Sequence, residues 1–423
     1  AMGIDRVRLK LLAFGIGAAF AGMTGTFYVA KLQTATPEMF MFPVSVMLLV
    51  MIVFGGIGSI PGVVLGALIL QLLQSWFLQD LTQWVHAFGS FAGIEFLQQI
   101  DLVQSIELIF GVILVLMMLY RREGLIPAHR SVTALSQAEQ TAVPSRGGFT
   151  AALAPRSPVD VTQPLLEISG LSKSFGGIRA VAGLDLTVMP GRIVAVIGPN
   201  GSGKTTFFNL VTGLTKPDAG RVRFAGRDVT GLAPHVIVER GIARTFQNLR
   251  LFANMTVTDN ALVGTHVRTA TGALGAVVRP PGVRREEAEA RVRAARVLGL
   301  FGNRLLPRAA HLARTLSYAN RRRLEIARAL VSEPTLLLLD EPTAGMNPTE
   351  TLELTDQIRS LREAGITILL IEHKLGVVNE IADHVVVLDH GEKIAEGRPE
   401  EVHRNEEVLR AYLGRKIPAP AHP

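Results

Sequence analysis

The chain contains no cysteine. That excludes disulfides, a thiolate zinc site and an iron–sulfur cluster, and it fits a cytoplasmic or inner-membrane protein without fixing the compartment. Positive charge is also missing where it matters. From Leu32 to Tyr120 there is no lysine or arginine, although the whole chain carries 43 of them. A water-soluble domain spreads its charge more evenly, so this stretch reads as lipid-soluble. The net charge of +7 invites a nucleic-acid reading. The arginines of 284–296 and 321–328, however, are interleaved with glutamate in helical patterns, the pattern of solvated helices, and nucleic acid is not expected as a partner. A length of 423 residues accommodates two or three domains.

The first 120 residues hold four apolar segments, Leu9 to Ala30, Met41 to Phe54, Pro61 to Leu78 and Leu102 to Tyr120, expected to cross a bilayer, with the second short by itself. The run Gly55-Gly56-Ile57-Gly58-Ser59-Ile60-Pro61-Gly62 breaks the helix and calls for a tight turn or a short re-entrant piece. Gly58, Gly62 and Gly66 recur every fourth residue, which lines small side chains along one helix face for close packing, unless Gly58 falls in the turn. Arg6, Arg8 and Lys10 around the start of the first span, and Arg121 and Arg122 after the last, are expected to put both ends in the cytoplasm. A cleaved secretory signal ending near Ala19-Phe20-Ala21 is disfavoured, because the apolar run continues and further spans follow. Glu107 is expected at the outer interface rather than on an ion pathway.

The expected organisation is a partial α-helical transmembrane domain over 1–126, a flexible tether rich in Ala, Ser, Thr, Pro and Arg over 127–164, an α/β domain over 165–414 and a frayed tail over 415–423. In the α/β domain apolar strands at Ile193 to Ile197, Leu336 to Leu339 and Ile366 to Ile371 alternate with helices, the pattern of a largely parallel sheet. Directly behind the first comes Gly198-Pro-Asn200-Gly201-Ser-Gly203-Lys204-Thr205-Thr206, a complete phosphate-binding loop opening a helix. Its glycines let backbone N–H groups turn around a phosphate, Lys204 adds a point charge, and Thr205 offers a hydroxyl to Mg²⁺. Asp340 and Glu341 end a second strand, at the sheet edge where the loop lies. Asp340 would hold Mg²⁺ and Glu341 would polarise the attacking water. His373, after a third strand, could reach a γ-phosphate, and Gln247 could reach metal or water. Taken singly, these two are also compatible with a structural histidine and a surface amide.

In this order the phosphate loop, Gln247, Leu316-Ser317-Tyr318-Ala319-Asn320, Asp340-Glu341, Ala344-Gly345-Met346-Asn347-Pro348 and His373 closely resemble the ATP-binding subunit of ABC transporters. The finer texture, Phe175-Gly176-Gly177, Arg244 to Phe252, Arg322 to Arg328 and Ala411-Tyr412-Leu413-Gly414, is similar to the branched-chain amino acid importer ATPases. The resemblance implies a P-loop NTPase fold that binds Mg-ATP, with the loop, Ser317 and Ala319 as nucleotide contacts. Glu341, His373 and Gln247 would be the catalytic group, and Thr205, Gln247 and Asp340 the metal group. It places Phe175 against adenine, where the alternative is a core phenylalanine. It also implies two ATPase domains head to tail, ATP lying between the loop of one and the signature helix of the other. One departure stands out: Ala319 and Asn320 replace the family's Gly-Gln. The added Cβ is expected to crowd a backbone that approaches phosphate, so that Ala319→Gly raises turnover.

Residues 1–5, Lys10 to Phe14, Phe54 to Gly66 and Arg121 to Pro127 resemble the C-terminal end of the partner permease of the same importers, with Gly3 at the end of a cytoplasmic coupling helix. The expectation is a permease portion fused to its own motor, from a truncated gene or a trimmed product. It would import branched-chain or related amino acids with a second permease, a second ATPase and an extracytoplasmic binding protein. Rival readings are the same machine moving urea or short amides, a non-transport ABC ATPase, and an inactive remnant.

Overall fold

The computed structural model describes residues 3–37, 41–93, 106–127, 135 and 161–413. The chain divides into two compact units, Lys10–Ser131, and Val132–Pro423 together with Ala1–Leu9. Most of the expected tether, the tail at 415–423 and the side chain of Glu107 lie outside the described residues. Within the tether, Leu135 is buried in the core of the α/β unit.

In the apolar unit, α1 (Arg6–Leu32) is 27 residues long, about 40 Å at 1.5 Å per residue, against a hydrocarbon layer of about 30 Å. It is followed by α2 (Phe42–Gly55), α3 (Ile60–Leu72), a π-helical turn at Leu73–Phe77, α4 (Leu78–Ala92) and α5 (Ile106–Tyr120). Among the described residues, Val7–Leu32 and Ile60–Phe88 are long and apolar enough to cross a membrane, whereas Val44–Gly55 and Leu108–Tyr120 are shorter. The third segment does not stop at Leu78. No glycine or proline stands between Leu73 and Phe88, so the wider π turn carries the helix on instead of ending it.

The Gly55–Gly62 segment makes a tight turn. Gly58 lies in it, and the Ser59 hydroxyl caps α3 by accepting from the Gly62 N–H at 3.2 Å. A Cβ on Gly62 or Gly66 would run into the Gly55 backbone, so α2 and α3 meet backbone to backbone, as small residues on one face allow. After α5, the N–H of Leu125 donates to Phe54 O at 2.9 Å and that of Ile126 to Gly55 O at 3.1 Å, which fixes this segment on the end of α2.

The second unit opens with the antiparallel pair β1 (Leu166–Phe175) and β2 (Ile178–Val188), then β3 (Ile193–Ile197) and α6 (Lys204–Val211). β4 (Ala219–Phe224) and β5 (Arg227–Asp228) follow, and after them α7 (Pro234–Glu239) and β6 (Ile242–Arg244). A helical stretch holds α8 (Val257–Val263), α9 (Ala273–Val278), α10 (Pro281–Leu300) and α11 (Tyr318–Leu330). The chain returns through β7 (Leu336–Asp340), α12 (Pro348–Glu363), β8 (Thr367–Ile371), α13 (Leu375–Ile381), β9 (His384–Asp389) and β10 (Glu392–Gly397) to α14 (Pro399–His403) and α15 (Glu406–Leu413).

The main sheet runs β10-β9-β3-β8-β7-β6, parallel except for the β9–β10 pair. Every residue of β3, β7 and β8 is buried. Uninterrupted apolar runs suit strands covered on both faces. A second sheet, β2-β1-β4-β5, is antiparallel. Residues 3–9 belong with this unit: Gly3 is buried, and a Cβ there would collide with Val267.

Candidate functional site

The central strands β3, β7 and β8 run in parallel, so their C-terminal ends deliver the phosphate loop, Asp340 and His373 to one edge of the sheet. A cleft of about 380 Å³ opens there, lined by Asn200, Lys204, Thr205, Gln247, Glu341 and His373 among others. That volume is within the range of small-molecule sites. The loop takes its shape from backbone conformations that favour glycine. Gly203 has φ +101° and caps α6, and a Cβ added there would strike the carbonyl of Ala180. The Lys204 ammonium folds back on the loop, donating to Gly198 O at 2.8 Å, Pro199 O at 2.7 Å and Ser202 Oγ at 3.3 Å. Burial holds it below the ordinary lysine range, with Glu341 and Asp340 pulling the other way. These oxygens occupy the donors that would serve a bound phosphate.

Asp340 is 1% exposed. Its Oδ2 is paired at 2.8 Å with the guanidinium of Arg244, which ends the neighbouring parallel strand β6. Arg244 also donates to Asn209 Oδ1 at 2.7 Å and Thr212 Oγ1 at 3.2 Å, so that α6 and both strand ends share one buried cation. The second oxygen, Asp340 Oδ1, is buried without a hydrogen-bond partner. A spare carboxylate oxygen beside a phosphate loop fits a hard cation.

Glu341 adopts φ +48°, a left-handed conformation costing about 1–3 kcal/mol that the surroundings must enforce. Its N–H donates to Ile371 O at 2.9 Å. Its Oε1 accepts from Gln247 Nε2 at 3.1 Å and stands 2.8 Å from His373 Nε2. Two side chains far apart in sequence, Gln247 and His373, therefore converge on one carboxylate oxygen.

The remaining candidates lie elsewhere. Ser317 caps α11, its hydroxyl accepting from the Asn320 N–H at 3.4 Å. Ser317 and Tyr318 are exposed, but Ala319 is only 2% exposed and belongs to the hydrophobic core. The crowding expected of its Cβ is therefore corrected: the methyl group is covered by the protein's own side chains and is not presented to a ligand. Phe175 is 49% exposed at the end of β1, with the Lys173 ammonium 5.4 Å from its ring centre. It is not a core residue, and its register partner Ile178 lines the cleft.

Three family profiles match the chain: "ABC transporter" over residues 181–344, "Branched-chain amino acid transport system / permease component" over 1–120 and "Branched-chain amino acid ATP-binding cassette transporter" over 392–416. The high-affinity branched-chain amino acid transport ATP-binding protein BraF of Pseudomonas aeruginosa is 45% identical over 255 residues, 60% of this chain and 99% of BraF. LivG of Escherichia coli K12, described in the same words, gives the same figures. The chain belongs to the branched-chain amino acid ABC transporter family. A solved nucleotide-free ATP-binding cassette from an ABC transporter is 32% identical with a TM-score of 0.53, covering 60% of this chain and all of that one. The ADP conformation of another cassette is 33% identical with a TM-score of 0.52, covering 60% and 99%. The α/β unit is thus a nucleotide-binding ABC ATPase of the P-loop fold, joined in one chain to a permease segment.

Sequence reasoning passed over three site residues. Arg179 and His390 line the cleft from β2 and from the turn after β9. Arg244 stands in the sequence only as the first residue of the Arg244 to Phe252 signature. The signal for it was present, a lone cation closing the apolar pair Ile242-Ala243, since a buried charge at a strand end needs a partner.

Proposed function

We propose that the chain is the ATP-hydrolysing component of an ABC importer, a permease segment fused to its own motor. In this reading it drives uptake of branched-chain or related amino acids across the bacterial inner membrane. The observation that carries the reading is the convergence of Gln247 and His373 on Glu341 beside Lys204, in a chain whose first 120 residues match a permease. The triphosphate would be held by Lys204 and the N–H groups of Gly201, Gly203, Thr205 and Thr206, with Asn200 at the rim and Phe175 against adenine. Thr205, Asp340 and Gln247 would hold Mg²⁺, which neutralises phosphate charge when bound. Glu341 would accept a proton from the attacking water. His373 and Gln247 orient that carboxylate and carry the arrival of the γ-phosphate to it.

The assembled machine would add a second ATPase subunit, a second permease subunit and an extracytoplasmic binding protein. The partner ATPase would meet the N-terminal end of α11 at Ser317, and ATP between the two would hold them together until hydrolysis releases them. Arg6, Arg8 and Lys10 around the start of the first apolar segment, and Arg121 and Arg122 after the last, support a reading in which both flanks lie on the cytoplasmic side of four spans. Uptake of labelled leucine by cells carrying the intact operon, compared with the Glu341→Gln variant, tests the reading. Leucine accumulation that persists in the variant would overturn it.

A further inference from the structure

The loop that carries Gln247 is held by its backbone, and what holds it is the helix that begins at the signature. Arg322, Glu325 and Arg328 stand three residues apart on α11 and are 0%, 1% and 4% exposed. Glu325 Oε1 accepts from the N–H of Phe246 at 3.3 Å and of Arg250 at 3.5 Å. Arg322 donates to Phe246 O at 2.5 Å and Gln247 O at 2.8 Å, and Arg328 donates to Arg250 O at 2.6 Å. The charges pair among themselves, Arg322 with Glu325 at 3.0 Å and Arg328 with Glu325 at 3.8 Å. Both ends of the loop are therefore fastened by side chains of one rigid helix.

Burying three charges to order a short loop is costly, and backbone turns could have ordered it without them. What the charges add is directional: five polar backbone atoms fixed to one helix cannot shift unless that helix shifts. On one side of the clamp the Gln247 amide reaches Glu341 Oε1 at 3.1 Å. On the other, Ser317 caps the same helix five residues before Arg322, about 7.5 Å along its axis. We propose that Arg322, Glu325 and Arg328 are positioning residues that lock Gln247 to α11, so that a displacement of the signature end of the helix is registered at Glu341 in the same chain. This rests on the ATPase reading above. If the signature end meets the partner's nucleotide, the clamp links the two ATP sites.

The test uses the full chain in its assembled transporter, with Glu325→Gln and Arg322→Lys as conservative variants. Glu325→Gln is expected to lower kcat for ATP about tenfold, the equivalent of one lost charge-assisted hydrogen bond, with KM changed less than about twofold. Arg322→Lys, which keeps one donor, is expected to fall between this variant and wild type. Glu325→Gln combined with Gln247→Ala should be no slower than Gln247→Ala alone, because both act through the same amide. Multiplied effects in the double variant, or an unchanged kcat per folded molecule, overturn the proposal. Hydrogen exchange reads the clamp without turnover: the amides of Phe246 and Arg250 should exchange about tenfold faster in Glu325→Gln. Unaltered exchange also overturns it, even in a preparation that hydrolyses no ATP, an outcome that would indict the ATPase reading itself.

Discussion

Arg244→Met removes the cation that pairs Asp340 and leaves an apolar side chain of similar length. Both groups are nearly dry, with side chains 3% and 1% exposed, and separated by 2.8 Å. Breaking such a pair from one side costs about 3–5 kcal/mol, because the remaining carboxylate is buried without compensation. For a unit of about 250 residues the deficit should appear as a fall in Tm of about 10 °C. Thermal unfolding of the full chain in detergent, followed through the α/β transition, measures it. Adding Asp340→Asn to the variant should recover part of the loss. A fall of less than about 3 °C, or no recovery when Asp340→Asn is added, would refute the claim that Arg244 neutralises Asp340.

Glu341→Gln should leave Mg-ATP affinity within about threefold of wild type while slowing hydrolysis at least about a hundredfold, as steady-state ATPase and calorimetry together would establish. Lys204 sits below its ordinary value of 10.5 through burial, and a bound triphosphate favours its charged form. ATP binding at alkaline pH should therefore take up protons, with affinity falling as pH rises between that depressed value and 10.5; calorimetry in buffers of different ionisation enthalpy detects the uptake. Ala319→Gly should not raise turnover, because the methyl group it deletes is covered by core side chains. It should instead lower stability by about 1 kcal/mol through helix propensity, and a gain in turnover would restore the crowding argument.

The parts of the site that were legible in the sequence are those whose chemistry is local. The phosphate loop announces itself because its glycines, lysine and threonines are consecutive, and Asp340 and Glu341 because they terminate a strand buried on both faces. What could not be read depends on strand order. Nothing local says that β6 lies beside β7, yet that adjacency alone brings Arg244 to Asp340. The antiparallel sheet of β2-β1-β4-β5 is hidden for a related reason. Its strands are half-exposed and interrupted by register shifts, so their alternation is broken. The orientation of Ala319 escaped because a helix N-terminus has both a covered and an open side, and the sequence does not show which side a given Cβ takes. In the apolar unit the close approach of α2 and α3 was legible from Gly62 and Gly66. The π turn at Leu73–Phe77 was not, because Leu-Gln-Ser-Trp-Phe carries no signal distinguishing it from an ordinary helical turn.

The account rests on a triphosphate being held by Lys204 and its neighbouring amides, and calorimetric titration of the purified full chain with Mg-ATP tests that most directly. One nucleotide per chain, with binding lost in Lys204→Met and retained in Glu341→Gln, is the predicted result. The absence of any saturable heat in the wild type, or undiminished binding in Lys204→Met, would contradict it.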